Sequence, residues 1–314
     1  MQQKNIVVIG SSNTDMVVKT LTLPRPGETV TGGEFLLAAG GKGANQAVAA
    51  ARLAAARFGG AVTFIAKVGA DSFGDQAIAG YEKEGIDTSQ IGREKDHATG
   101  IALILVDQKG ENLISVASGA NFQWSDADLA RVRGVIEQAG IVVFQLEIPL
   151  DVVVGLAQVA ADAGVPVLLD PAPAAELPTD LLQNVSYLKP NEHEAEVVSG
   201  IKVTDEATAT AAARRLLDRG VKEAVVITLG EQGALVFPRE GTPQMVPAPK
   251  IQAADSTAAG DAFTGALAWQ LNQGVPLLEA VRVANHVAAL SATRMGAQPS
   301  LPTRKELDDF MKSG

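Results

Sequence analysis

Ala253-Ala254-Asp255-Ser256-Thr257-Ala258-Ala259-Gly260-Asp261-Ala262-Phe263 runs small residues into an acidic one, and a helical pattern follows from Ala262 to Gln273. Backbone N–H groups at the start of a helix form an anion site, because they have no intrahelical acceptor and their dipoles point outward together. The side chains of Ala258, Ala259 and Gly260 are too small to keep a phosphate from that backbone. Asp261 sets a carboxylate beside the same place, where it would repel a phosphate. Its useful chemistry there is to take the proton from a hydroxyl that attacks phosphorus. The stretch also reads as an ordinary helix start, since the dipole favours an acidic first turn. By itself it favours that plainer account.

A second glycine-rich stretch, Gly40-Gly41-Lys42-Gly43-Ala44-Asn45-Gln46, lies near the other end of the chain. It is not a P-loop, which needs Ser or Thr after the lysine, where this chain has Gly43. It reads either as a glycine-rich turn into a helix with Lys42 in solvent, or as backbone that lets a sugar approach. In the second case Asn45 supplies both a donor and an acceptor to hydroxyls. In this order the two stretches resemble the signatures of the ribokinase (PfkB) family of sugar kinases. The family's C-terminal D-T-x-x-A-G-D is met from Asp255 to Asp261, with Ser256 in place of Thr. Gly10-Ser11-Ser12-Asn13-Thr14-Asp15, the Pro-Gly-Glu-Thr from Pro26 to Thr29 and Gly296-Ala297-Gln298-Pro299-Ser300 resemble further family segments. The resemblance therefore covers nearly the whole chain.

Composition sets the limits. The chain has 314 residues, 46% of them hydrophobic and 4% aromatic, with a net charge of −10. That supplies a large core and admits one large α/β domain or two smaller ones. The negative balance and the lack of any Lys/Arg run argue against a nucleic-acid surface. With no cysteine, disulfides, thiolate metal sites and cysteine nucleophiles are excluded together. His97, His193 and His286 show no metal-ligand spacing. The apolar run after Met1-Gln2-Gln3-Lys4 is too short for a signal peptide, and no stretch approaches the ~18 apolar residues of a membrane span. The expectation is a cytoplasmic protein without membrane or nucleic-acid partners.

Short apolar runs alternate with longer helical patterns. Ile6–Ile9, Val62–Val68, Ile141–Leu146, Val165–Leu169, Val185–Leu188 and Ala224–Leu229 read as buried strands. Ala44–Phe58, Gly74–Lys83, Asp151–Ala163, Asp205–Arg219, Phe263–Asn272 and Leu277–Thr293 read as helices. Continuous apolar strands separated by helices imply a parallel sheet covered on both faces. Gly27–Ala38 and Thr99–Val116 break this rhythm and read as antiparallel strands, the second folded at Asp107–Gly110. They suggest a small extra sheet projecting from the body.

Polar residues gather just after the strands, where ligands of parallel α/β sheets bind. Asn13 and Asp15 are either a turn or a clamp for hydroxyls. Glu147, before Pro149, either caps a helix or binds sugar. Asn191 and Glu194, in Lys189-Pro190-Asn191-Glu192-His193-Glu194, make an acidic first turn and match the family's N-x-x-E motif. Thr228-Leu229-Gly230-Glu231-Gln232-Gly233 is a hairpin turn or a nucleotide contact, and Asn285 is either structural or an adenine contact.

The resemblance implies a three-layer αβα fold with a mostly parallel central sheet and a small β-sheet lid. It implies a single unit over residues 1–314, with lid segments at about 14–38 and 97–118. It implies ATP-dependent phosphorylation of D-ribose at O5, with Asp261 as general base and the backbone of Ala258, Ala259, Gly260 and Asp261 as anion hole. Asn13, Asp15, Gly41, Lys42, Asn45 and Glu147, with Asp261, would hold the sugar. Asn191, Thr228, Leu229, Gly230, Glu231, Gln232, Gly233, Gly260 and Asn285 would hold the nucleotide. Asn191 and Glu194 would serve magnesium, largely through water. Asp255, Thr257, Ser291, Arg294, Gly296 and Ser300 would frame a potassium site, and the lids would pair into a homodimer. The alternatives are a related kinase for deoxyribose, fructose or a nucleoside, and a non-catalytic sugar-binding regulator. The low aromatic content weighs against nucleosides.

Overall fold

The structure, a computed structural model, describes residues 4–54 and 62–313. Its first half runs β1 (Ile6–Ile9), β2 (Asn13–Lys19), β3 (Glu34–Gly40), α1 (Lys42–Ala54), β4 (Val62–Ile65), β5 (Lys67–Gly69), α2 (Ser72–Lys83), β6 (Gly92–Glu94), β7 (Gly100–Val106), β8 (Asn112–Ala117) and α3 (Asp126–Glu137). Then come β9 (Ile141–Phe144), α4 (Leu150–Asp162), β10 (Val167–Leu169), α5 (Thr179–Leu182), β11 (Tyr187–Leu188), α6 (Glu192–Ser199) and α7 (Glu206–Asp218). The last part is β12 (Ala224–Thr228), β13 (Ala234–Pro238), β14 (Gln244–Val246), α8 (Ala259–Asn272), α9 (Leu277–Ala292) and α10 (Arg304–Ser313).

The central sheet has the order β14-β13-β12-β11-β10-β9-β1-β4. It is parallel from β4 to β12, and the hairpin partners β13 and β14 are antiparallel. The continuous apolar strands are explained by burial on both faces. In β1, Val7 and Ile9 face a core shared with α3 to α7, while Ile6 and Val8 face one shared with α1, α8 and α9. The result is three layers, with the expected mostly parallel sheet in the middle.

A second sheet, ordered β3-β2-β7-β8, projects from this body. β2 pairs antiparallel with β3 but parallel with β7, so the small sheet is mixed where antiparallel strands were expected. Residues 27–33, expected as strand, are not; β3 begins at Glu34, and Gly27, Gly32 and Gly33 take positive φ that a strand does not. Val62–Val68, expected as one strand, is broken at Ala66, and β5 pairs with β6 in a separate two-stranded sheet. The helix expected over Ala44–Phe58 starts earlier, at Lys42, and its far end at 55–58 lies outside the described residues.

α1 is buried along most of its length and packs on α8. An ideal Cβ on Gly265 would lie 2.6 Å from Ala49 Cβ and 2.7 Å from Gln46 O. The absence of a side chain at Gly265 and the small one at Ala49 let the two helices meet almost backbone to backbone. That closeness brings residues from opposite ends of the sequence into one site.

Candidate active site

α8 begins at Ala259, four residues before the expected Phe263, so the small-residue run is its first turn. Ala258 precedes it with φ 59, the one non-glycine residue in a left-handed conformation among the described residues. An L-residue there carries a penalty of roughly 1–2 kcal/mol. Ala259 N–H donates to Ser256 O at 3.1 Å, and Ala262 N–H to Ala258 O at 2.8 Å. The N–H groups of Gly260 and Asp261 find no acceptor among the described residues. Of the expected cradle, Ala259 is therefore engaged within the turn, and Ala258, Gly260 and Asp261 carry the open donors.

Asp261 is 5% exposed. Asn45 Nδ2 donates to its Oδ2 at 2.9 Å and Gln46 Nε2 to its Oδ1 at 3.0 Å. Gln46 Nε2 also reaches Asp170 Oδ2 at 2.8 Å, and Gln46 Oε1 accepts from Gln145 Nε2 at 2.6 Å. Thr264 Oγ1 donates to Asp170 Oδ2 at 3.2 Å. Asp170 Oδ1 stands 3.0 Å from Lys189 Nζ as a buried ion pair without hydrogen-bond alignment. Burial raises the Asp261 pKa, and the Asp170 charge adds to this, against the pull of Lys42. Lys42 is held in its charged form: burial disfavours its charge, but the carboxylates of Asp261, Asp170, Glu147 and Glu194 outweigh that and raise its pKa. A carboxylate of raised pKa, held at both oxygens beside a lysine, can accept a hydroxyl proton.

Asn13 and Asp15 lie two apart on β2, on the same face. Asp15 has its pKa lifted to about 6, first by burial, then by Glu147 and Asp261. A Cβ on Gly40 would lie 2.2 Å from Asp15 Oδ2, so the strand facing Asp15 can carry no side chain there. Gly41, at φ 90, folds the turn back so tightly that its Cβ would sit 2.9 Å from Asn13 N. Glu147 Oε2 accepts from Lys42 N at 3.0 Å and from the Ser11 hydroxyl, which ties that turn to the body. Asn45 Oδ1 is buried with no partner. Of these residues Asn45 bonds Asp261, and Lys42 and Asp15 feel its charge; Glu147 holds the turn of Lys42, and Gly41 packs on the backbone of Asn13.

A cleft of about 970 Å³ opens on the other side of the α8 start. Asn191, Thr228, Gly230 to Gly233, Gly260 and Asn285 line it. Leu229 does not; it is 6% exposed and packs in the core. Asn285 Nδ2 also donates to Val246 O at 2.9 Å, so it braces the loop after β14. Asn191 caps α6: its Oδ1 accepts from Glu194 N at 2.8 Å, and Glu194 Oε2 accepts from Asn191 N at 2.8 Å. Burial raises the Glu194 pKa, with Asp170 adding and Lys189 opposing.

No cluster of three or more His, Cys or acidic residues fit to hold a metal occurs among the described residues. The hard oxygens of Asn191 and Glu194 fit a magnesium bound through water and phosphates. Asp255 joins the two outer loops, with Oδ1 accepting from Thr257 N at 2.9 Å and Oδ2 from Gly296 N at 2.9 Å. Ser291 and Ser300 hydroxyls bond each other at 2.7 Å. With these side-chain oxygens engaged, an ion between the two loops would be held mainly by backbone carbonyls. The Arg294 guanidinium instead turns 2.8 Å from Glu306, so only the backbone of Arg294 can face an ion.

Gln46, Asp170 and Lys189 complete this network, and Asn121 bonds Ser12 and Asn13 beside it; none was given a site role from the sequence. Gln46 stands inside the glycine-rich stretch, and Asp170 and Lys189 stand at strand ends where polar residues gather. Nothing local marks Asn121.

The sequence profile of the pfkB family carbohydrate kinases matches residues 3–304. The ribokinase of Haemophilus influenzae is 42% identical, over 99% of both chains. The deoxyribokinase of Salmonella typhi is 35% identical, over 98% of both. The solved structure of Arabidopsis thaliana ribokinase complexed with ribose and ATP superposes with a TM-score of 0.90 at 32% identity, covering 98% of this chain and 99% of that one. The chain belongs to the pfkB family of carbohydrate kinases. No helix among the described residues is long and apolar enough to cross a membrane.

Proposed function

We propose that the chain transfers the γ-phosphoryl group of ATP to O5 of D-ribose, giving D-ribose 5-phosphate and ADP. One observation carries this: Asp261, its two oxygens held by Asn45 and Gln46, stands near enough to Asp15 for their charges to interact and directly follows Gly260, which lines the cleft at the start of α8. Asp261 takes the O5 proton as that oxygen bonds to phosphorus, and the bond from phosphorus to the departing ADP oxygen breaks. The open N–H groups of Gly260 and Asp261 face the charge that builds on the moving group. Asn13, Asp15, Gly41, Lys42, Asn45 and Glu147 hold the sugar, directly or by fixing the turn beneath it. Asn191, Thr228, Gly230 to Gly233 and Asn285 line the nucleotide. Asn191 and Glu194 would serve a magnesium ion brought with ATP, largely through water, and the ion would supply neutralisation of phosphate charge. The Asp255 and Gly296 loops would hold a potassium ion, which would brace the α8 start that rests on them.

The same reading makes the whole chain one functional unit in the cytoplasm, with lid segments at about 14–38 and 97–118 that pair two copies. Full-length similarity to ribokinases supports ribose, and similarity to a deoxyribokinase makes deoxyribose the nearest competitor. A coupled ADP-release assay over pentoses, hexoses and nucleosides tests the substrate. D-ribose is expected to have the highest kcat/KM. Equal or better turnover of deoxyribose, fructose or adenosine overturns the assignment.

A further inference from the structure

We propose that Asn121 is a positioning residue that decides which end of the Asn13 amide meets the sugar; this rests on the sugar site proposed above. A side-chain amide carries a donor NH2 and an acceptor oxygen of nearly the same shape. Either end of Asn13 would fit the pocket, and the two would read opposite patterns on a polyol. Asn121 removes that freedom. It is 1% exposed, in the turn that follows the lid strand β8. Its Oδ1 accepts from Ser12 N–H at 2.9 Å, which fixes its own amide against the backbone. Its Nδ2 is then committed, donating to Ser12 O at 3.2 Å and to Asn13 Oδ1 at 2.7 Å. Asn13 is left with Nδ2 turned away from Asn121. That nitrogen has no acceptor among the described residues, although Asn13 is only 6% exposed.

Two further features fit this assignment. Gly100 pairs with Asn13 across β2 and β7, and a Cβ there would lie 2.2 Å from Asn13 Oδ1 and 2.3 Å from Asn121 Nδ2. The strand beside the pair leaves it room by carrying no side chain. Asn45 presents the opposite end: its Nδ2 is taken by Asp261, and its Oδ1 is buried and unpartnered. The two amides are therefore left with opposite open ends, a donor at Asn13 and an acceptor at Asn45. A hydroxyl at Asn13 accepts there and gives its own proton elsewhere, with the Asp15 carboxylate two residues along the same face. A hydroxyl at Asn45 donates. Asn121 is the residue that makes the two amides unlike.

Asn121→Asp keeps the acceptor for Ser12 N–H and removes the donor to Asn13 Oδ1, so the Asn13 amide turns over toward the new side chain. Leaving a buried polar group mispaired predicts a rise of about tenfold or more in the KM for D-ribose, and in its Kd by calorimetry. The KM for ATP should stay within about twofold, the scatter expected of uncoupled sites. The deciding measurement is the cycle with Asn13→Ala. If Asn121 acts through Asn13, Asn121→Asp changes the ribose KM by less than about twofold once Asn13 is alanine. The same fold-change in both backgrounds, or a parallel rise in the KM for ATP, overturns the proposal. Gly100→Ala, which wedges the pair apart from the other side, gives the same reading should Asn121→Asp fail to fold. Wild-type turnover of D-ribose is measured first. If another sugar of the panel proves to be the substrate, the cycle is run on that sugar, and the ribose assignment falls separately from the role of Asn121.

Discussion

Asn45 Nδ2 lies 2.9 Å from Asp261 Oδ2, although the two residues are 216 positions apart in the chain. The bond joins the first turn of α1 to the first turn of α8. It leaves Asp261 oriented before any substrate arrives. Asp261→Asn keeps the shape and removes the proton acceptor. The expected loss in kcat is about 10²–10⁴-fold, the usual contribution of a general base. Ribose affinity should change little. If Asp261 serves only as a first-turn helix residue, the variant instead loses roughly 0.5–2 kcal/mol of stability and little turnover. Measuring kcat, ribose Kd and Tm on one preparation separates the two.

Asp15 gives a second, opposite signature. Its pKa in the folded chain, about 6, lies above the ordinary 3.8. Between those values the folded chain holds a proton that the unfolded chain has lost, so stability falls as pH rises through the window. Asp15→Asn removes a buried, repelled carboxylate. It should raise Tm at neutral pH, with the gain vanishing below the ordinary carboxylate pKa of 3.8. The KM for ribose should rise in the same variant. A Tm difference that is flat with pH would count against the buried, repelled state of Asp15.

Gly265 tests the helix packing beneath the site. In Gly265→Ala the new Cβ meets Ala49 Cβ at 2.6 Å and Gln46 O at 2.7 Å. Overpacking of this kind destabilises by about 1–3 kcal/mol. Because the strain falls on Gln46, which holds Asp261, kcat should drop as well. Unchanged melting and turnover would show that α1 and α8 have slack that the close approach denies.

The potassium proposal has its own readout. Asp255 binds Thr257 N with one oxygen and Gly296 N with the other, so it clasps the two loops on which the start of α8 rests. Replacing potassium by sodium, after ammonium is removed, should lower kcat. Equal activity in the two salts would refute a selective cation site.

The lid should make a dimer. The register aligns Leu37 with Met16 and Met16 with Leu103, and Phe35 with Val18. These side chains share one face of the small sheet, on which Phe35 is 58%, Leu37 52% and Leu103 55% exposed. Apolar exposure of this kind suits a surface that a second copy would cover. Light scattering should give twice the 32.5 kDa of the chain, and Leu103→Lys should return it to the monomer mass. A wild-type monomer at working concentrations sinks the proposal.

Much of the body was legible because its signals are local. Ile6–Ile9 reads as a buried strand since every residue is apolar, and both of its faces are indeed covered. The α8 start was placed late because Ala258 to Gly260 look like loop residues; what lets them begin a helix is a left-handed Ala258, a tertiary constraint. β2 was harder still. Asn13 and Asp15 lower its strand signal because they are there for what they face, and polar residues at a site override propensity. Asn121 bonds Ser12 and Asn13, and Asp170 bonds Gln46 and Thr264, all more than 90 positions away, which no window of sequence displays.

The meeting of α1 and α8 also sets an order of events during synthesis. Lys42, Asn45 and Gln46 leave the ribosome early, whereas Asp261 follows Asn45 by 216 residues. At typical elongation rates that gap is roughly 10–40 seconds. Throughout it the nascent chain carries its glycine-rich turn without the carboxylate that completes the site. A fragment ending before α8 lacks Asp261 and the open N–H groups beside it, and is expected not to turn over ATP.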